Sequence, residues 1–387
     1  MTTLPGPDFP ELSLAREAFL SRLFMRLGLL KPDFSLLHRV VAAFTAVTWL
    51  PLLIFALLDG TAVSGATVPF LPDFAVHIRF LLALPLLLIA EPPIERRLRQ
   101  AAAHFVRSGL VPERNLADFS AAIRTTRALA RSSLFESLFL VLAFAAILAD
   151  RGADLPGLSD WRTAGHSRLA LWWYLGVSLP LYRFLVFRWL GRLALWFWFL
   201  GRTAREDLQL NPTHPDHAGG LGFLGITHVP LGIIIFALAS VVSGTLGKRI
   251  VYGEASLSSA APLMAVFAVL AGLLVLAPLL VFSPLLLRAR REGLFAYSLF
   301  ADGYTDAFAR KWITGGRREG EALGSSDIQS LADLANSFQI ITRMRLVPFD
   351  RDTVLIVALA AVGPMIPLVL LAFPADKLFK IVIKILI

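Results

Sequence analysis

The chain has 387 residues, 56% of them apolar and only 17% charged, with a mean hydropathy of +0.68. Soluble domains run about 45–50% apolar and about 25% charged, so a soluble globular class is excluded. The net charge of +9 comes with no cysteine, which rules out disulfides, thiolate catalysis and Cys-ligated zinc or iron–sulfur sites.

Residues 1–36 carry charges and prolines but no apolar core of the signal-peptide kind, and are read as an amphipathic cytoplasmic segment. Seven apolar runs follow, at 37–58, 76–94, 134–149, 169–190, 222–246, 261–287 and 353–373. Most are long enough to cross a hydrocarbon core of ~30 Å as helices. The expected fold is therefore an all-α polytopic transmembrane bundle of about seven spans, with helical cytoplasmic segments. Placing the N-terminus inside puts 27 Lys and Arg on the inner segments and 5 on the outer loops 59–75, 150–168 and 247–260. Positive-inside bias then expects a cytoplasmic N-terminus. It also accounts for most of the basic charge with no nucleic-acid partner. The lipid bilayer is the expected partner, with a small solute and a second copy of the chain beside it.

The fourth apolar run continues to Leu200 through Arg183, Arg188 and Arg192. One helix of that length spans about 48 Å, so its arginine-bearing end is expected to project on the inner side. The three arginines do not share a stripe at ~100° per residue, which excludes a voltage sensor. Arg79 and Arg183 are the charges inside spans. An intramembrane ionisable group is a functional candidate by default, and snorkelling is its bland alternative.

An internal duplication is suggested by letters that recur in one order. Pro51-Leu52, Ile54-Phe55-Ala56-Leu57 and Gly60-Thr61 are echoed by Pro230-Leu231, Ile235-Phe236-Ala237-Leu238 and Gly244-Thr245. Pro85-Leu86-Leu87 and Pro92 are echoed by Pro278-Leu279-Leu280 and Pro284, and Leu-Ala-Asp recurs at 116–118 and 331–333. A parallel 3+1+3 repeat would give units 37–149 and 222–373, joined by 150–221 and followed by an amphipathic tail, 374–387. In it Asp118 and Asp333 would each pair with the arginines that follow.

The stretch 211–225, NPTHPDHAGGLGFLG, precedes the fifth span. His214, Asp216 and His217, with His228 further on, are metal-ligand types, so a divalent metal is one expectation. A turn broken by Pro212 and Pro215 and capped by Asp216 or Asn211 is the bland alternative. Gly220, Gly222 and Gly225 match GxGxxG in letters only, because no strand precedes them. Further on, Ser326, Asp327 and Gln329 read as a capping box that opens a helix.

The segments NPTHPDHAGGLGF, GSSDIQSLADLANSF (324–338) and MRLVPF (344–349) are similar to those of multi-pass membrane proteins of bacteria. That resemblance brings no activity, substrate or site residues. The leading functional expectation is a transporter or channel component for a small, anionic solute. Its path residues would be Arg183, Arg79, Asn211, Gly220 and Gly222. A membrane-embedded metal-dependent enzyme on His214, Asp216, His217 and His228 is the second expectation, and a scaffold or sensor the third.

Overall fold

The computed structural model describes residues 10–14, 25, 31, 34–149, 159–314 and 326–372. Their apolar runs are helices: α1 (Leu37–Leu58), α2 (Phe74–Arg107), α3 (Leu116–Arg131), α4 (Ser133–Ala149), α5 (Leu169–Thr203), α6 (Phe223–Val251), α7 (Leu257–Thr314), α8 (Ser326–Thr342) and α9 (Arg351–Val369). Six of these are long and apolar enough to cross a membrane. The bent pair Glu113–Arg131 and Ser133–Leu148, which turns by 48°, supplies a seventh candidate. The protein is an all-α, polytopic helical bundle. The tail 374–387 and most of 1–36 lie outside the described residues.

Three helices outrun the membrane. α2, α5 and α7 have 34, 35 and 58 residues. At ~1.5 Å per residue these are about 51, 52 and 87 Å long, against a core of ~30 Å. The connecting segments sort onto two faces accordingly. On one, Asp59 accepts from Ser167 (2.7 Å from its Oγ), and Val68 forms an isolated bridge with Asp160. On the other, the Gln209 N–H donates to Leu110 O (2.8 Å), Arg290 Nη2 donates to Thr342 O (2.7 Å), and Arg114 pairs with Asp207. These are the two groups into which the positive-charge count divides the loops.

Proline shapes several spans. Pro51 has no N–H for Val47 O, which sits four residues earlier. Trp173 Nε1 of α5 donates to that carbonyl instead, at 3.0 Å. The vacancy in one helix thus becomes a tie to another. Irregular turns recur elsewhere: π-helical at Ile78–Ala83 and Tyr174–Ser178, and 3-10 at Val229–Leu231, Ala277–Phe282 and Gly363–Met365.

The order of elements recurs between the halves, but the packing differs. α9 packs on both α6 and α7, whereas α4 leans on α5 and α3. Likewise α3 packs along α5, while α8 packs along α7. The two triplets therefore lack the common packing pattern of a parallel repeat. Asp333 accepts from Gln329 Nε2 (3.0 Å), and Arg124 donates to Ser120 Oγ (3.1 Å), in place of the expected pairs with Asp333 and Asp118. Asp327 receives Trp312 Nε1 (3.1 Å) and Lys311 (2.5 Å), which hold its carboxyl below the usual range.

Candidate functional site

Charge inside the bundle gathers where α2, α4 and α5 meet, toward the face with the Lys- and Arg-rich segments, the inner face. Glu91 opens a new helical stretch of α2. The prolines at 92 and 93 are tolerated there because first-turn positions have no intrahelical acceptor for an N–H. Glu91 and Glu95 are four residues apart and share a face, as do Arg188 and Arg192 on α5. Arg188 Nη1 donates to Glu91 Oε1 at 2.5 Å, and Arg192 Nη1 lies 3.1 Å from the same oxygen. Glu136 of α4 approaches Arg188 Nε at 3.4 Å. Glu95 Oε2 accepts the Leu14 N–H at 3.1 Å. All five charged residues are buried.

The close approach of α4 depends on Gly191, immediately before Arg192. A Cβ there would collide with the Phe139 ring. Beside it, Trp189 Nε1 donates to Leu87 O at 2.8 Å, and the Arg192 guanidinium sits 5.2 Å from the Trp189 ring centre.

A second network closes the other end of α2, against α6 and the segment before α5. Asp73, just before α2, accepts Lys248 Nζ at 2.7 Å and Trp161 Nε1 at 3.0 Å on one oxygen. Lys248 also reaches Asp160 Oδ2 at 3.1 Å, and Arg162 holds Asp160 through two 2.9 Å hydrogen bonds. Burial alone would raise the Asp160 pKa, but Arg162 and Lys248 bring it below the ordinary value. The Arg162 guanidinium stacks 4.8 Å from the Tyr174 ring centre. Arg79, on the π-helical turn of α2, donates to the Tyr174 hydroxyl at 2.5 Å. Arg79 is thus hydrogen-bonded within the bundle, and Arg183 is half-buried one turn before Arg188.

The stretch 211–225 folds into a loop on the inner face, where the structure brings Asn211, His214, Asp216, His217, Gly220 and Gly222 together. Asp216 accepts the N–H groups of Ala218 (2.8 Å), Gly220 (3.2 Å) and Gly222 (2.8 Å). Burial would raise its pKa, but these donors and His214 hold it below the usual carboxylate range. Asn211 Oδ1 accepts from the Thr213 N–H (3.0 Å) and hydroxyl (2.8 Å). The loop needs Gly220 at a φ of +94°, and His217 sits at +52°. Arg345 then clasps it: its N–H donates to His217 O (2.7 Å) and its Nη2 to Asp216 O (2.8 Å). Nearby the Gly225 N–H donates to Pro348 O (3.1 Å). Two of the distinctive sequence segments, NPTHPDHAGGLGF and MRLVPF, therefore form one structural unit.

His228 stands apart, fully buried in α6. Its Nε2 accepts from Trp196 Nε1 at 3.2 Å and its Nδ1 donates to Leu224 O at 2.8 Å, so both ring nitrogens are engaged. Among the described residues no three His, Asp or Glu side chains gather as metal ligands do. Comparison with protein-family models, with curated proteins and with solved structures finds no match.

The inner network is the feature that sequence reading missed. Its signal was the pair of i, i+4 spacings, Glu91–Glu95 and Arg188–Arg192, in opposite charges on two apolar helices.

Proposed function

We propose that the protein is a membrane transport component in which α2 and α5 open one end at a time. The observation that supports this most is that α2 is held by buried charge at both ends, to α6 at one and to α5 at the other. Asp73 and Lys248 stand at one end, and Glu91, Arg188 and Arg192 at the other. Buried ionisable groups in a membrane bundle are costly and mark pathways or moving parts by default. The π-helical turns at Ile78–Ala83 and Tyr174–Ser178 lie between the two networks, where a helix pair would flex. Arg188 and Arg192 both face Glu91, which offsets their positive field. The solute is therefore a small one whose charge these two arginines do not select.

The cysteine-free sequence supplies the test. Ser178 is fully buried at the end of the π-helical turn of α5, its hydroxyl donating to Thr48 O at 2.7 Å. In reconstituted S178C protein, Glu91→Gln should raise labelling by an impermeant maleimide from the inner side, and Lys248→Met from the outer side. A cysteine that stays protected in both variants would sink the transport reading.

That outcome would favour a docking role. Beyond the membrane α7 carries Phe295, Leu299 and Phe300 at 84%, 76% and 63% exposure, a large apolar presentation in water. Orientation is part of the proposal: the face carrying 27 Lys and Arg is cytoplasmic, in a bacterial inner membrane. Reporters fused after Gln100 and Asn211 should read cytoplasmic and one after Ser159 external. The reverse pattern would overturn it.

A further inference from the structure

Two cavities meet at the inner network. One, of about 10 Å³, is lined by Arg192, Glu91, Glu95, Trp189 and Trp196. It has room for roughly one oxygen-sized group. The other is an apolar groove of about 450 Å³ between α5, α6 and α7, lined by residues such as Ile235, Leu238, Phe267 and Leu270. Leu193 and Leu231 belong to the walls of both. Leu270 and Leu273, at the groove edge on a spanning stretch of α7, are exposed, so the groove opens toward lipid.

Arg192, one of the residues lining the small cavity, carries a donor in want of an acceptor. Arg192 is 94% buried, and its Nη2 has no hydrogen-bond partner among the described residues. A buried guanidinium N–H left unsatisfied is costly, which favours any group that accepts from it. Two features argue against an anion. The Arg192 charge already faces Glu91 at 3.1 Å, and the Glu95 carboxylate lines the same cavity. A free ion would also leave the adjoining groove unused.

We propose that this is a binding site for a neutral acyl lipid, its chain in the groove and one carbonyl oxygen accepting from Arg192 Nη2. The inference is independent of the transport reading, since such a lipid could be cargo or a fixed component. Trp189 and Trp196 beside the cavity supply the readout. Full-length protein in detergent is titrated with methyl 5-doxylstearate, whose nitroxide quenches tryptophan, and in parallel with ionised 5-doxylstearate.

The ester should quench saturably, at a half-saturating concentration about tenfold or more below that of the anion. Unlabelled methyl stearate should relieve the quenching and octadecane should not. Trp196→Phe should remove part of the signal. Arg192→Met should abolish the preference for the ester. Leu270→Trp fills the groove at an exposed position and leaves the charges alone, so it should weaken ester binding even if the Arg192 variant fails to fold. Equal quenching by ester and anion, or relief by octadecane, would mean solvating lipid only and overturn the proposal. Ester binding unchanged in a folded Leu270→Trp protein would also overturn it.

Discussion

The two charged networks hold α2 at opposite ends, to α6 at one and to α5 at the other, yet they are built differently. At the outer end a lysine bridges two aspartates that also have other partners: Trp161 donates to Asp73, and Arg162 grips Asp160. Remove the lysine and each carboxylate keeps a donor. At the inner end a single oxygen of Glu91 serves both Arg188 and Arg192. Remove that carboxylate and Arg188 keeps its 3.4 Å approach to Glu136, while Arg192 loses its ion pair in a buried site. Coulomb interactions there are screened far less than at the surface, so the inner arrangement tolerates the loss of one member poorly. The lesson is that the same count of ion pairs carries different consequences according to how the acceptors are shared.

The largest expected effect follows directly. Glu91→Ala should lower stability by about 3–5 kcal/mol, the usual cost of breaking a buried ion pair from one side. Thermal unfolding in detergent would show it as a large fall in Tm. A double variant, Glu91→Leu with Arg192→Met, should recover most of that loss, because Arg188 keeps Glu136 as its partner. If the single substitution is mild, the inner network is hydrated and the contrast with the outer one collapses.

Lys248→Met should cost less, about 2–3 kcal/mol, since Asp73 and Asp160 each retain a hydrogen bond. Here pH offers a second lever. Asp160 has a folded-state pKa below its ordinary value, so its contribution is complete above that ordinary value and fades as the pH falls through the lowered one. Acid titration should therefore loosen the outer end, read as faster amide exchange at Trp161 and Arg162. Exchange that speeds up with rising pH beyond its intrinsic rate would contradict this.

The loop around Asp216 was more legible in the sequence than either network. Its prolines, Asn211 and Asp216 announce a turn with local caps, and local caps are what form. Such contacts span two to six residues and need no tertiary information. The spans were legible for a similar reason, as uninterrupted apolar runs; α1 keeps the limits 37–58 read from hydropathy alone. Glu91 and Arg188 are 97 residues apart, and their pairing depends on how α2 and α5 dock. The hydrogen bond from Arg79 to Tyr174 is hidden in the same way, across 95 residues. Shared letters misled where they were read as shared packing, because leucine and proline recur in spans whatever their neighbours.

Asp216→Asn comes next in size. The carboxylate collects three N–H donors, and an amide oxygen can keep only part of that set, so a loss of about 1–3 kcal/mol is expected, largely local. Amide exchange at Ala218, Gly220 and Gly222 should accelerate, while the Tm changes less than for Lys248→Met. Because the Asp216 pKa is also lowered, the wild-type loop should show the same loosening as the pH drops through that value. A global collapse on this substitution would show that the clasp by Arg345 holds α6 and α9 together, and does more than fasten a loop.

The smallest effect belongs to Glu292, which pairs with Arg288 at 2.8 Å one helical turn away. Both side chains are exposed, at 65% and 75%, so water and salt screen the pair and each keeps its hydration. Exposed ion pairs of this i, i+4 type contribute little, and the long side chains lose entropy in forming them. Glu292→Ala should accordingly leave Tm and Ser178 accessibility unchanged within error, in low salt as in high. It is the baseline against which the other three are judged, since it removes an ion pair of similar length from a helix of the same protein. A shift comparable to that of Lys248→Met would mean that the exposed face of α7 is covered in the assembled protein. The arm bearing Phe295, Leu299 and Phe300 would then be the place to look for what covers it.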